Sequence, residues 1–240
     1  MMSLIRAFLG DAFIAAFAVF VVAAVAGAAV FLNLTKDGAR PITVVVKGLA
    51  SLQFFILGLA ANIVYGGTST NYIVIALALG LSGDVFLEVS EATVKPKTWF
   101  FVLGTLFFAA EHVLIAVNLI IANTEIWLPS LIFFAVSYSV VIITVLSTKP
   151  VVNKRMLALG LSYFVLVCAM GGCCFGTAVT SYNEGNLSLM IGGIFFIISD
   201  ALLAVYRFSK PEKFSLNTAL IYFYYAAQLF ISSSIYFAAE

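Results

Sequence analysis

Apolar residues run along this chain in eight blocks separated by short polar interruptions. The blocks cover roughly residues 12–32, 41–61, 71–90, 98–120, 127–147, 155–179, 187–206 and 214–237. Each is close to the ~20 residues that a helix needs to cross the hydrocarbon of a bilayer. The interruptions carry Pro41, Pro96, Pro129, Pro150 and Pro211 at or near helix starts, where a missing N–H is least costly. No linker, low-complexity tract or second domain breaks the pattern. It predicts one all-α membrane domain over residues 1–240, with eight transmembrane helices. The first block follows Arg6 and holds an Ala-Val-Ala-Gly-Ala run like a cleavage site. It is too long for a signal core, and stronger positive charge follows it at Lys36 and Arg40, so it is expected to be a retained helix.

Composition agrees with that pattern. The chain is 63% hydrophobic and 10% charged, with a mean hydropathy of +1.14. A soluble domain of 240 residues cannot hide so much apolar surface. A net charge of +1 offers nothing to nucleic acid, and none is expected as a partner. The distribution of charge says more. Lys36, Arg40, Lys95, Lys97, Lys149, Lys154, Arg155, Arg207, Lys210 and Lys213 fall in the interruptions after blocks one, three, five and seven; the other side has only Arg6. Cytosolic loops carry the excess of Lys and Arg, so both termini are expected on the outer or lumenal side. The protein is expected in the plasma membrane or the endoplasmic reticulum. Trp99 and Trp127 fall at helix starts on opposite faces, as interfacial anchors do.

Cys168, Cys173 and Cys174 lie together in one apolar block and read as packing thiols. A single histidine, His112, removes every scheme that needs several imidazole ligands. No metal or other cofactor is expected.

Ionisable groups inside the apolar blocks are the candidate chemistry, because they are expensive at membrane depth. Asp84 lies in Leu-Ser-Gly-Asp-Val-Phe-Leu-Glu on helix three and Asp200 in Ile-Ile-Ser-Asp-Ala on helix seven. Counted at ~1.5 Å per residue, Lys47, Asp84 and Asp200 all lie roughly 9–10 Å below the basic boundary, and Tyr163 comes to a similar level. Glu111, His112, Tyr224 and Gln228 lie deeper. An offset of 116 aligns Lys47 with Tyr163, Asp84 with Asp200, Phe108 with Tyr224 and His112 with Gln228. That maps helices two to four onto six to eight and raises a parallel 4+4 internal repeat against coincidence.

Each of these residues also has a structural reading. The aspartates could bond a neighbouring Ser or Tyr in the bundle. Two carboxyls in an apolar site push their titrations apart, so one can act as acid and the other as base. Lys47 would hold one Asp ionised or would snorkel to the surface. Glu88 sits one turn nearer the boundary and reads as a rim residue. His112 is a satisfied core histidine or a catalytic one. Glu111 lies about 100° round the helix from it, so only one of the two is expected to point fully inward. Tyr224 and Gln228, at i and i+4, share a face as ligand donors or interhelical contacts. Arg207, near the boundary, pairs a lipid phosphate or serves topology.

The chain resembles a known family. Ser-Gly-Asp-Val-Phe-Leu on helix three looks like its Gly-Asp motif. The spaced Phe, Gly, Phe and His from Phe101 to His112 look like its helix-four pattern. The aromatic-rich Ser199-Asp200 run ending in Phe208 looks like its most specific element, and Tyr224 with Gln228 matches its closing pair. These residues resemble the YhhN-like family of eight-helix membrane proteins, whose characterised members are lysoplasmalogenases. The resemblance covers about 40 to 230. It departs at Lys47-Gly48, where the family usually has Lys-Pro, and at Ile115, where it commonly has Tyr. It implies hydrolysis of the vinyl ether of a lysophospholipid substrate, with Asp84 and Asp200 as acid and base in either order. It also implies that Lys47, Glu88, His112, Tyr163, Ser199, Arg207, Tyr224 and Gln228 surround the substrate. Three other classes compete. An intramembrane aspartyl protease would want Gly-x-Gly-Asp with Tyr-Asp, a poor match. A zinc-dependent lipid hydrolase would need more histidines. A small-solute or proton-coupled transporter would use the same polar centre.

Overall fold

The computed structural model describes residues 2–36, 38–93, 98–208 and 214–238. Lys95, Pro96, Lys97, Lys210, Pro211, Lys213 and Glu240 lie outside the described residues. Those described form eight α-helices: α1 (Met2–Thr35), α2 (Pro41–Tyr65), α3 (Thr68–Ala92), α4 (Thr98–Ala122), α5 (Trp127–Ser147), α6 (Lys154–Thr180), α7 (Glu184–Phe208) and α8 (Phe214–Phe237). A short 3-10 turn, Thr124–Ile126, leads into α5. All eight are long and apolar enough to cross a bilayer, and the chain is a multi-pass membrane protein. The first helix differs from expectation: it starts at Met2, and among the described residues its membrane-length span is Ile14–Thr35.

Local chemistry sets the helix ends. Pro41 opens α2 at N1, its fixed φ being suited to a first turn. Asn153 caps α6 by accepting from the Met156 N–H at 2.8 Å. Gly66 and Gly67 alone separate α2 from α3, which makes the two an antiparallel hairpin.

Six helices close into a ring in the order α2, α3, α4, α6, α7, α8 and back to α2. Outside the ring, α1 lies against α2 and α8, and α5 against α6 and α7. Advancing every number by four turns the ring into itself but not the outer pair, since α1 packs on α2 and α8 whereas α5 packs on α6 and α7. Small residues allow the close approaches. A Cβ on Gly104 of α4 would lie 2.9 Å from the backbone nitrogen of Leu87 on α3. On Gly192 of α7 it would lie 3.0 Å from the carbonyl oxygen of Ala227 on α8.

The most buried helix is also the least apolar. The most apolar stretch of α8 has the lowest mean hydropathy of the eight, 1.2, and 72% of it is buried; for α5 the values are 2.2 and 11%. Lipid-facing helices have to be apolar all round. A helix enclosed by others can carry Tyr, Gln and Ser, provided each finds a partner. Trp99 and Trp127 stay exposed at their helix starts, where an indole suits an interface. The three cysteines are free and buried.

Candidate functional site

The site begins on facing stripes of α2 and α3. Thr43, Lys47 and Ser51 are spaced i, i+4, i+8 and line one face of α2; Asp84 and Glu88 line one face of α3. Because the helices run antiparallel, the stripes meet rung by rung. The Thr43 hydroxyl donates to Glu88 Oε1. Lys47 Nζ lies 3.4 Å from Asp84 Oδ1 and 3.9 Å from Glu88 Oε2. The Ser51 hydroxyl donates to Asp84 Oδ2 at 2.5 Å. The Phe31 ring of α1 covers the ammonium from outside, 5.5 Å from Nζ to its centroid. Lys47 is therefore turned inward to the acids rather than snorkelling out.

From α8, the Tyr224 hydroxyl donates to the same Asp84 oxygen at 2.5 Å. Gln228, one turn on, donates from Nε2 to Tyr224 at 3.3 Å and to Glu111 Oε1 of α4 at 2.8 Å. Asp84 thus faces one ammonium and two hydroxyl donors.

Asp200 has a simpler shell. Tyr163 of α6 donates to its Oδ2 at 2.8 Å, and His112 Nε2 lies 3.0 Å from the same phenol. The single phenolic hydrogen goes to Asp200, so His112 Nε2 is the donor of the second bond. An aromatic wall separates the two networks. Phe196 packs edge-on against His112, Phe108 and Tyr224, with centroids 4.6, 6.3 and 5.6 Å away. Counted along their helices, Lys47 lies six residues from Pro41, Asp84 eight from Ala92 and Asp200 eight from Phe208. That puts all three ~9–12 Å inside the same end of the bundle.

Two expectations need correction. Glu88 is not a rim residue: it is 4% exposed and bonded by α2, because α3 continues to Ala92 and α2 covers this face. Glu111 and His112 are both fully buried. Helix α4 sits between α3 and α6 in the ring, so its inward arc is wide enough for residues 100° apart. Glu111 turns to Gln228 and His112 to Tyr163.

Two other candidates lie apart from the acids. The Ser199 hydroxyl donates to the Leu220 carbonyl at 3.0 Å and ties α7 to α8. Arg207 pairs with Glu91 of α3 at 3.0 Å, both partly exposed. Thr43 and Ser51 belong to the buried network but were not singled out as candidates from sequence, and Glu111 was weighed against His112 without being placed around the substrate. The i, i+4 spacing of Thr43 and Ser51 around Lys47 is the signal that marks these two.

Four buried carboxyls, Asp84, Glu88, Glu111 and Asp200, thus face a single ammonium among the described residues. So much uncompensated charge is untenable inside a bilayer, so part of this set holds protons. Membrane-length helices closed around such a cluster define a multi-pass membrane protein with an interior acid site. The YhhN family model matches residues 42–235, and the chain belongs to the YhhN family. No curated protein and no solved structure matches the chain.

Proposed function

We propose that the protein is a lysoplasmalogenase-type hydrolase, which cleaves the vinyl ether of a lysoplasmalogen to a fatty aldehyde and a glycerophospho-ethanolamine or -choline. The observation that carries the reading is the pair of buried aspartates on α3 and α7, each held by a tyrosine on either side of an aromatic wall. Membership of the YhhN family supports it.

The chemistry asks for one acid and one base. A carboxyl gives its proton to the β-carbon of the vinyl ether, leaving an oxocarbenium ion. A carboxylate takes a proton from water as the water adds to that ion. The hemiacetal then collapses: its hydroxyl proton returns to the first carboxylate, and the departing glycerol oxygen takes the proton held by the second. Both groups end as they began. Asp84, with Lys47 and two hydroxyl donors, is the base; Asp200, with a single phenol and no ion-paired cation among the described residues, is the acid. The apolar walls receive the alkenyl chain, and the headgroup stays toward the basic end of the bundle.

The test is purified protein in lipid vesicles supplied with lysoplasmalogen, with fatty aldehyde measured by reduction coupled to NADH. Wild type should release aldehyde, and Asp84→Asn and Asp200→Asn should each lose about 10²–10⁴-fold while remaining folded. No aldehyde from wild type, with uptake of a solute or protons instead, would replace hydrolysis by transport.

A further inference from the structure

We infer that Glu111 is a neutral carboxylic acid that pairs with Gln228 and, through it, fixes the hydroxyl of Tyr224 on Asp84. The inference rests on reading Asp84 as the base of the site and adds a positioning residue to it.

Three observations lead there. Glu111 is fully buried, and no cation lies within ion-pair distance of it among the described residues. An isolated carboxylate at that depth is far costlier than its neutral form. Next, Glu111 Oε2 and Gln228 Oε1 are both buried without a hydrogen-bond partner, while Gln228 Nε2 already donates to Glu111 Oε1 at 2.8 Å. A proton on Oε2 turns one orphan acceptor into a donor. A cyclic acid–amide pair, with that O–H bonded to Gln228 Oε1, then satisfies both orphans with one hydrogen. Finally, α3 is hollowed at this point. A Cβ on Gly80 would lie 2.6 Å from Glu111 Oε2 and 2.9 Å from Gln228 Nε2, and Gly80 is one turn from Asp84 on the same face.

The directions of the bonds then follow. The Gln228 amide has two N–H donors. One is used on Glu111, which leaves the other for the Tyr224 oxygen. With its oxygen accepting, the phenol has its single hydrogen free for Asp84 Oδ2. A flipped Gln228 would present a carbonyl to Tyr224, compete for that hydrogen and take a donor from Asp84. With its proton on Oε2, Glu111 holds Gln228 in the orientation that donates to Tyr224, and it does so without bonding Asp84.

Glutamine at position 111 has the donor and acceptor that the neutral acid has, whereas leucine has neither. In the aldehyde assay, Glu111→Leu should lower kcat by about 10–100-fold with little change in KM, the scale of one misdirected buried hydrogen bond. Glu111→Gln should restore most of that loss. The protonation is read separately, from the infrared carbonyl band of protonated carboxyls at neutral pH. Wild type minus Glu111→Gln should show one such band, shifted in heavy water. Glu111→Gln as inactive as Glu111→Leu, Glu111→Leu as active as wild type, or no protonated-carboxyl band in the difference spectrum each overturns the inference. If the leucine variant does not fold, the glutamine variant and the spectrum decide. Wild type without aldehyde release sinks the hydrolase reading and leaves the spectrum to decide on Glu111.

Discussion

Lys47→Met removes the ammonium that faces Asp84 and Glu88 and keeps most of the side-chain volume. Nζ lies 3.4 Å from one carboxylate and 3.9 Å from the other. At an effective dielectric constant of about 20, those separations correspond to gross attractions of about 5 and about 4 kcal/mol. Desolvation offsets much of this in the intact cluster, so the gross figures are not its net contribution. Removing one partner of a buried pair is costly for another reason: it strands the charge left behind, typically at about 3–5 kcal/mol. Here the stranded acids can take up a proton, so that range is an upper bound for Lys47→Met. The geometry makes a sharper claim through a cycle. Glu88→Gln removes one of the two charges that the lysine balances and keeps an acceptor for Thr43. In Lys47→Met/Glu88→Gln a single charged acid remains, so the double variant should be less destabilised than the sum of the two singles, by about 1–3 kcal/mol. Unfolding in mixed micelles measures all three variants.

Aldehyde release should follow a different order. Lys47→Met loses the cation that keeps Asp84 a base and should fall about 10²–10⁴-fold. The double variant should regain stability without regaining activity, because Asp84 still has no ammonium beside it. Additivity of the two singles within about 0.5 kcal/mol would refute the bridging role of Lys47. Recovery of activity in the double variant would refute the assignment of Asp84 as base.

Three further outcomes follow from single contacts. Tyr224→Phe and Tyr163→Phe keep the rings and remove one donor each from Asp84 and Asp200; each should lower kcat by about 10-fold or more in the aldehyde assay, with a loss of about 1–3 kcal/mol in unfolding. Gly104→Ala puts a Cβ against the backbone of α3, which cannot swing aside, so unfolding should show about 1–3 kcal/mol of destabilisation without any polar change at the site. Arg207→Ala breaks a partly exposed pair with Glu91 and should cost under about 1 kcal/mol, with aldehyde release close to wild type. A large loss there would bring Arg207 back as a headgroup contact.

The fold was legible because a bilayer permits so little. A helix must satisfy its backbone internally, so an apolar run of the right length is already a statement of structure. Runs written as 41–61 and 71–90 become Pro41–Tyr65 and Thr68–Ala92, and the Gly66-Gly67 turn fixes their antiparallel neighbourhood. The order of helices round the ring was less accessible, because in lipid the apolar faces do not choose partners by hydrophobicity. Small residues do that, and the consequence of Gly104 or Gly192 depends on which helix stands opposite. Lys47 meets Asp84 and Tyr163 meets Asp200, pairs that the offset of 116 aligns, and neither pairing could be read before the ring order was known.

The site was legible in its types of residue and less so in their directions. Reading depth along one helix at a time placed Asp84, Asp200 and Lys47 at one level, but it treated each helix as having one inner face and one exposed end. Both simplifications failed at an acid. Glu88 looked like a rim residue because distance from the helix end was taken for exposure, whereas α2 lays Thr43 and Lys47 over it. Glu111 was set against His112 because one face was allotted to α4, whereas a ring helix looks inward over a wide arc and can serve two networks. The missing observable in both cases is the partner helix. One pattern did hold that information in the chain itself. Thr43, Lys47 and Ser51 on α2 repeat every four residues, as do Gly80, Asp84 and Glu88 on α3. Two polar stripes at helical spacing, joined by a two-residue turn, can satisfy each other only by facing across the hairpin. Read as stripes rather than as single anomalies, they place Glu88 under Thr43 and leave Gly80 as the gap in which a third acid lies.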